Sequence, residues 1–336
     1  MDQRDLGKQR RLPIRTIALV TLTLLVNVSL NTDVNAAGAY PLASGVYQWR
    51  DEQGRVHFGD APNPEHNAKN LSADYDFSLP FKLVIEGIGK ANGKTYRIPP
   101  KVEQSLGAYV SKIFTIYQQA LDLEYPQTRE FRIEIYGTEQ AYRAYQQTVA
   151  PVLENSAGFY NPATNQITTW GMPAGQLQRL ITHECSHAIS ASHGQYVPVW
   201  LNEGLAEYFE EMQVSGLGAQ VPVSRQWLYV LKRRGYASSS ASSTADLRAV
   251  IDSPHNLWYT ANGADGVSYA TSWSLVWFLM DSKQGRSIIA ELLNTQHSPL
   301  GSSSSQFIER RWPGGFDRFS KDWQHWLRDA AGTHRY

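Results

Sequence analysis

The chain of 336 residues carries a single cysteine, Cys185. One thiol cannot make an intramolecular disulfide, so no part of the fold is stapled by oxidation. An excess of charge of either sign is also missing, because 31 basic residues face 31 acidic ones. That balance removes the electrostatic case for nucleic acid or an anionic membrane as partner. Long hydrophobic runs are absent too. The stretch from Ile17 to Leu30 is interrupted by Asn27, and residues 269–282 are apolar almost all round but too short for the ~20 residues that cross a bilayer. No glycine-rich nucleotide loop and no internal repeat occur.

What is present begins with an address. Arg4, Lys8, Arg10, Arg11 and Arg15 precede the apolar stretch, and small residues follow it in Val34-Asn35-Ala36-Ala37-Gly38-Ala39. This is the pattern of a secretory signal peptide over residues 1–36, cleaved after Ala36 or Ala39, with an uncleaved anchor as the alternative. No cysteine follows the run, which excludes a lipoprotein anchor. Once the signal is cleaved, no stable membrane insertion is expected.

The chemistry-bearing segment is His183-Glu184-Cys185-Ser186-His187. Residues four apart project from one side of an α-helix, so His183 and His187 can present two imidazole nitrogens to one ion. Glu184 is rotated by about a third of a turn, near the ion but off its ligand axis, where it can take a proton from a bound water. Cys185 lies roughly 200° from His183 and should point into the core. Fifteen residues separate His187 from Glu203, which opens a second helix in Trp200-Leu201-Asn202-Glu203-Gly204-Leu205-Ala206-Glu207. Two imidazoles and one carboxylate would leave a fourth zinc position for water, whose pKa then falls towards about 7. Leu177, Leu180, Ile181, Ala188 and Ile189 give the first helix, 174–192, its apolar spacing. In the second, after Pro198, Leu201, Leu205, Phe209 and Met212 form the buried stripe, while Glu210 and Glu211 read as a solvated acidic end.

These two helices resemble the gluzincin group of zinc metallopeptidases, which includes thermolysin-like and aminopeptidase-like enzymes. The resemblance covers about 35 residues and implies one Zn2+ held by His183, His187 and Glu203, with Glu184 as general base. It further implies that Glu207, four residues after the third ligand, hydrogen-bonds a ligand histidine. In such folds the strand before the active-site helix edges the cleft and can pair with extended substrate, which points to Ile167, Thr168, Thr169 and Trp170. An ordinary sheet strand accounts for these residues equally well. A tyrosine from the C-terminal half often stabilises the oxyanion, and Tyr269 resembles it, with Tyr259 and His255 as rivals. His255 is also a candidate substrate contact. The Gly-x-Met-Glu-Asn exopeptidase signature is missing and the fifteen-residue spacing is short, which favours endopeptidase or specialised envelope cleavage.

The rest supplies a frame. Helix 101–121, strand 131–136, helix 139–148, a hairpin within 156–170 and the active-site helix suit an α+β core: a mixed sheet with an edge strand over that helix. Residues 222–234, 245–252 and 269–282 add a mainly helical C-terminal subdomain, with the Ser-rich stretch 237–244 as a loop. Near the N-terminus, Tyr47-Gln48-Trp49 and Val56-His57-Phe58 flank an Asp51-Glu52-Gln53-Gly54 turn and form a small β module over 40–65. Its pattern resembles a module of unknown function found near the N-termini of bacterial envelope proteins, which implies a Gram-negative periplasm and an envelope-protein or cell-wall partner. His57 reads as a strand residue. A linker, 66–78, leads to the metallopeptidase domain, 79–330. The expected activity is hydrolysis of exported or envelope polypeptides. The alternative is a non-catalytic, zinc-stabilised scaffold, and the presence of Glu184 argues against it, because a structural site needs no base.

Overall fold

The structure, a computed structural model, describes residues 47–59, 69–70, 81–125, 129–153, 156–193, 197–215, 218–237, 241–255, 257–258, 266–294 and 303–336. The expected signal peptide lies outside them, as do Tyr259 and almost all of the expected linker.

Seven strands make one mixed sheet. They are β1 (Tyr47–Arg50), β2 (Val56–Gly59), β3 (Lys69–Asn70), β4 (Phe81–Ile88), β7 (Arg129–Tyr136), β8 (Gly158–Asn161) and β9 (Gln166–Trp170), in the order β3-β1-β2-β4-β7-β9-β8. The centre is parallel, with Ile133 of β7 opposite Ile85 of β4 on one side and Ile167 of β9 on the other. The remaining pairs are antiparallel. Alternation in β7 sends Phe131, Ile133 and Ile135 to a buried face, while Arg132 and Glu134 point the other way. Strands β5 (Lys90–Ala91) and β6 (Lys94–Thr95) form a separate two-stranded hairpin.

Helix α1 (Pro100–Leu121) covers the apolar face. It starts after Pro99 and stops at Asp122, whose left-handed φ of 54° breaks the helical path. Val102, Leu106, Val110, Ile113 and Tyr117 are buried, the stripe its spacing predicts. Helix α2 (Glu139–Val149) lies on the opposite face, where Tyr142 meets Trp170 and Tyr145 stacks on Tyr136. Helix α3 (Ala174–Ser190) packs beside α1 under β8 and β9, and Tyr117 Oη lies 2.9 Å from Ser190 Oγ.

The N-terminal hairpin forms around its predicted turn and is continuous with this sheet through β2 and β4. Val56 and Phe58 enter the core, and α1 passes so close that a Cβ on Gly107 would lie 2.9 Å from the Phe58 ring. Arg50 and Gln48 both bond Glu103 of α1.

The remainder is mainly helical. Helix α4 (Val199–Glu210) leads into a three-stranded sheet of β10 (Gln213–Ser215), β11 (Gly218–Pro222) and β12 (Thr333–Arg335). Between β11 and β12 run α5 (Arg225–Arg233), α6 (Ala241–Ile251), α7 (Val267–Met280), α8 (Lys283–Leu293), α9 (Ser304–Arg311) and α10 (Gly315–Asp329). Helix α6 begins inside the Ser-rich stretch expected to be a loop. The buried residues Leu247, Val250 and Ile251 anchor the helix, and its first turn extends back through the serines. Helix α7 is buried almost all round, including Ser268, Thr271, Ser272 and Ser274. Among the described residues, no helix is long and apolar enough to cross a membrane.

Candidate metal centre

Helices α3 and α4 start after Pro173 and Pro198, and they pack side by side. On α3, His183 and His187 face α4 with rings at 86°, while Cys185 points into the core with 1 % of its surface exposed. Burial raises the Cys185 thiol pKa, which keeps it an inert core residue. On α4, Glu203 is 3 % exposed. Its Oε2 lies 3.7 Å from Nε2 of His183 and 3.7 Å from Nε2 of His187. These three atoms form a group that can hold a metal ion. Donors about 2.0–2.1 Å from one tetrahedral ion lie about 3.3 Å apart. The observed spacing is a few tenths of an ångström wider, within reach of small side-chain rotations. The chemistry also fits, since two imidazoles and a carboxylate with space beside them make an open three-ligand site.

In the absence of an ion, the electrostatics record how crowded this point is. Burial lowers the His183 pKa, but the nearby Glu203 carboxylate and the hydrogen bond to Glu210 outweigh it and hold the imidazole well above its ordinary value. His187 goes the other way, pushed down to about 4 by burial, with Glu203 opposing. Glu184 is 5 % exposed, and burial pushes it up to about 7 against the pull of His183 and a backbone hydrogen bond from Tyr160. A carboxyl poised there can exchange protons at neutral pH.

All four side chains line one cavity of about 450 Å³. Its other walls are Leu153 and Ser156, strand β8 with Pro162, the chain around α3 and α4 (Ala191, Val197, Val199, Asn202), and His255 and Tyr269. Tyr269 opens the first turn of α7, where burial, reinforced by Glu203 and Glu207, holds its phenol pKa well above 10. It therefore stays a proton donor. His255 is exposed at the mouth.

Three expectations are corrected. Residues 166–170 do not edge the cleft: β9 is sandwiched between β7 and β8, and Ile167, Thr168 and Thr169 are buried. Trp170 lies on the α2 side, under the Arg143 guanidinium. The edge is β8, the first arm of the hairpin, because the chain crosses from β7 to β9 in parallel and leaves the antiparallel arm outside. Glu207 does not bond a ligand histidine either. Its Oε1 is 4.0 Å from His183 Nδ1, beyond hydrogen-bond reach, and its Oε2 accepts from Trp227 Nε1 at 2.9 Å. Burial and the neighbouring Glu210 raise its pKa. Glu210, expected to be solvated, lies 3.2 Å from His183 Nδ1 and binds Arg179 through its other oxygen. Burial acts to raise its pKa, yet His183 and Arg179 hold it below the ordinary carboxylate value.

The wall formed by Leu153, Ser156 and Gly158 was not expected from the sequence. Helix α2 holds that segment: Gln146 Nε2 donates to Leu153 O, and Tyr142 Oη and Arg143 Nη1 donate to Ser156 O at 3.0 and 2.7 Å. Gln146 and Arg143 lie one helical turn or less from Tyr142, a pattern visible in sequence only once α2 is known to face this segment.

Family models match two parts of the chain. Residues 36–76 match a domain of unknown function, DUF4124, and residues 179–300 match a protein of unknown function, DUF1570. The first spans the β1–β2 hairpin, and the second contains the three ligand candidates, Glu184 and Tyr269. No curated protein matches the chain.

Proposed function

We propose that the protein is a zinc-dependent peptidase of gluzincin type that cleaves exported or envelope polypeptides in a Gram-negative periplasm. The observation that carries this reading is the convergence of His183 Nε2, His187 Nε2 and Glu203 Oε2 in a cavity that also holds the buried carboxyl of Glu184. A purely structural metal site has no use for that fourth group, and burying a carboxyl there costs stability.

His183, His187 and Glu203 would hold the zinc, which would supply Lewis acidity and make a water more acidic, with a pKa towards about 7. Glu184 takes the proton of the attacking water and returns it to the leaving amine. Tyr269 Oη, kept protonated, donates to the oxygen that gains charge as the carbonyl is attacked. Strand β8 offers the backbone groups that β9 leaves unused, and a substrate drawn along it as an added strand would pass over the cavity. Address and partner rest on the signal-like first 36 residues and on the hairpin module. An unbiased peptide library, incubated with zinc-loaded protein and read by mass spectrometry, tests the activity. Internal cleavage that a chelator abolishes supports the reading. Intact peptides throughout would refute it.

A further inference from the structure

We infer that Glu210, braced by Arg179, positions His183 for the metal, and that Glu207 does not. The inference rests on the reading of His183, His187 and Glu203 as a metal site. Four observations lead to it. Glu203 and Glu210 are seven residues apart on α4, two turns along one face, so the carboxylate that approaches His183 Nε2 and the one that approaches His183 Nδ1 come from the same helix. Arg179 and His183 are four residues apart on α3, so the brace and the ligand share a face of the opposing helix. Arg179 Nε and Nη2 reach Glu210 Oε1 at 3.2 and 3.1 Å, and Nη2 also reaches Glu211 at 3.2 Å. Glu210 Oε2 is left to accept from His183 Nδ1 at 3.2 Å.

The consequence is a fixed tautomer. With its Nδ1 proton directed to Glu210, His183 keeps Nε2 aimed at the point between Glu203 and His187, where an ion would take its lone pair. Glu207 cannot do the same while it accepts from Trp227, because the bond to α5 holds Oε1 4.0 Å from the ring. Arg179 also fixes the spacing of α3 against α4, since one guanidinium on α3 grips two consecutive carboxylates at the end of α4. Glu210 and Arg179 are positioning residues, and neither lines the cavity.

The test compares Glu210→Ala, Glu210→Gln, Glu207→Gln and Arg179→Met in the full chain. Zinc affinity is measured by chelator competition, and the ligand field by the visible spectrum of the Co2+-loaded protein. Glu210→Ala should lose about 10–100-fold in affinity, and the Co2+ spectrum should change. Glu210→Gln, which keeps an acceptor oxygen, should recover part of the loss. Arg179→Met should weaken binding by a smaller factor, and Glu207→Gln should leave affinity and spectrum near wild type. A loss in Glu207→Gln equal to or greater than that in Glu210→Gln overturns the inference.

A second readout needs no metal. In metal-free protein with 15N-labelled histidine, the Nδ1 proton of His183 should be visible and slow to exchange, and it should vanish in Glu210→Ala. Its persistence there overturns the inference, even if wild-type protein binds no zinc and the metal reading fails on its own. If Glu210→Ala does not fold, the comparison of Arg179→Met with Glu207→Gln decides, by the same two readouts.

Discussion

At the scale of single residues, the account turns on three donor atoms and one proton acceptor. Glu203→Ala removes the one charged ligand, and we expect stoichiometric zinc to be lost on dialysis while the fold is kept; elemental analysis and circular dichroism check this. On the proposed reading, Glu184 would set the acid side of an activity profile. Its pKa is raised to about 7 without metal, chiefly by burial. A bound dication favours the charged form and moves it down. The base works only when deprotonated, so kcat/KM should fall as pH drops through that lowered value, below 7. A profile flat between pH 5 and 7 would contradict this. Legibility at this scale was uneven. His183, Glu184 and His187 follow from helical periodicity alone, and Cys185 follows from the same angle with opposite outcome. The Glu207 role failed because two acidic residues one turn apart can serve one imidazole equally well. The choice fell to Trp227 on α5 and Arg179 on α3, which no local spacing ties to Glu207.

At the scale of elements, close approach decides what can change. A Cβ on Gly204 would lie 2.5 Å from Ser272 O, so α4 and α7 touch backbone to backbone there. Gly204→Ala should cost about 1–3 kcal/mol in chemical denaturation and weaken zinc binding, because the adjacent residue is Glu203. Tyr208 on α4 ties this helix to β12, with its hydroxyl 2.7 Å from His334 Nδ1 and 2.6 Å from Tyr336 Oη. The hairpin has its own electrostatic lock. Asp51 accepts from His57 at 2.9 Å and from Arg55 at 2.6 Å. Burial acts to raise its pKa, but these bonds overcome it and bring it to about 2. A depressed carboxyl stabilises the fold above its unfolded pKa of about 3.8–3.9 and loses that contribution as pH falls towards 2. Asp51→Asn should therefore cost about 1 kcal/mol at pH 7, a figure reduced for solvent screening, and close to nothing at pH 2. An equal cost at both values would rule out the charge as its source. The helices α1, α2, α3 and α4 were legible because each has an apolar stripe and a proline or polar start. Strand order was not, because periodicity cannot tell which arm of the 156–170 hairpin pairs with β7. That pairing is long-range, and it moved the cleft edge from β9 to β8.

At the scale of the molecule, one sheet carries everything from the N-terminal hairpin to the strand beside the cavity, and the helical half closes over it with α4 and α7. The two helices that bear the candidate ligands meet in the middle of that arrangement, so a bound ion would be linked to the fold. A ligand that binds only the folded state stabilises it by about 2.7 kcal/mol at one hundred times its Kd. Zinc should raise the melting temperature and a chelator should lower it, with no such response in Glu203→Ala. The α+β class and the helical C-terminal part could be read from the order of periodic segments; the continuity of the hairpin with the main sheet could not. The most direct test of the central claim measures cleavage of a peptide library by wild type and Glu184→Gln, each first shown to hold one zinc per chain. The account predicts new internal termini with wild type and a rate about 10²–10⁴-fold lower with Glu184→Gln. Equal cleavage by the two, or none by zinc-loaded wild type, would contradict it.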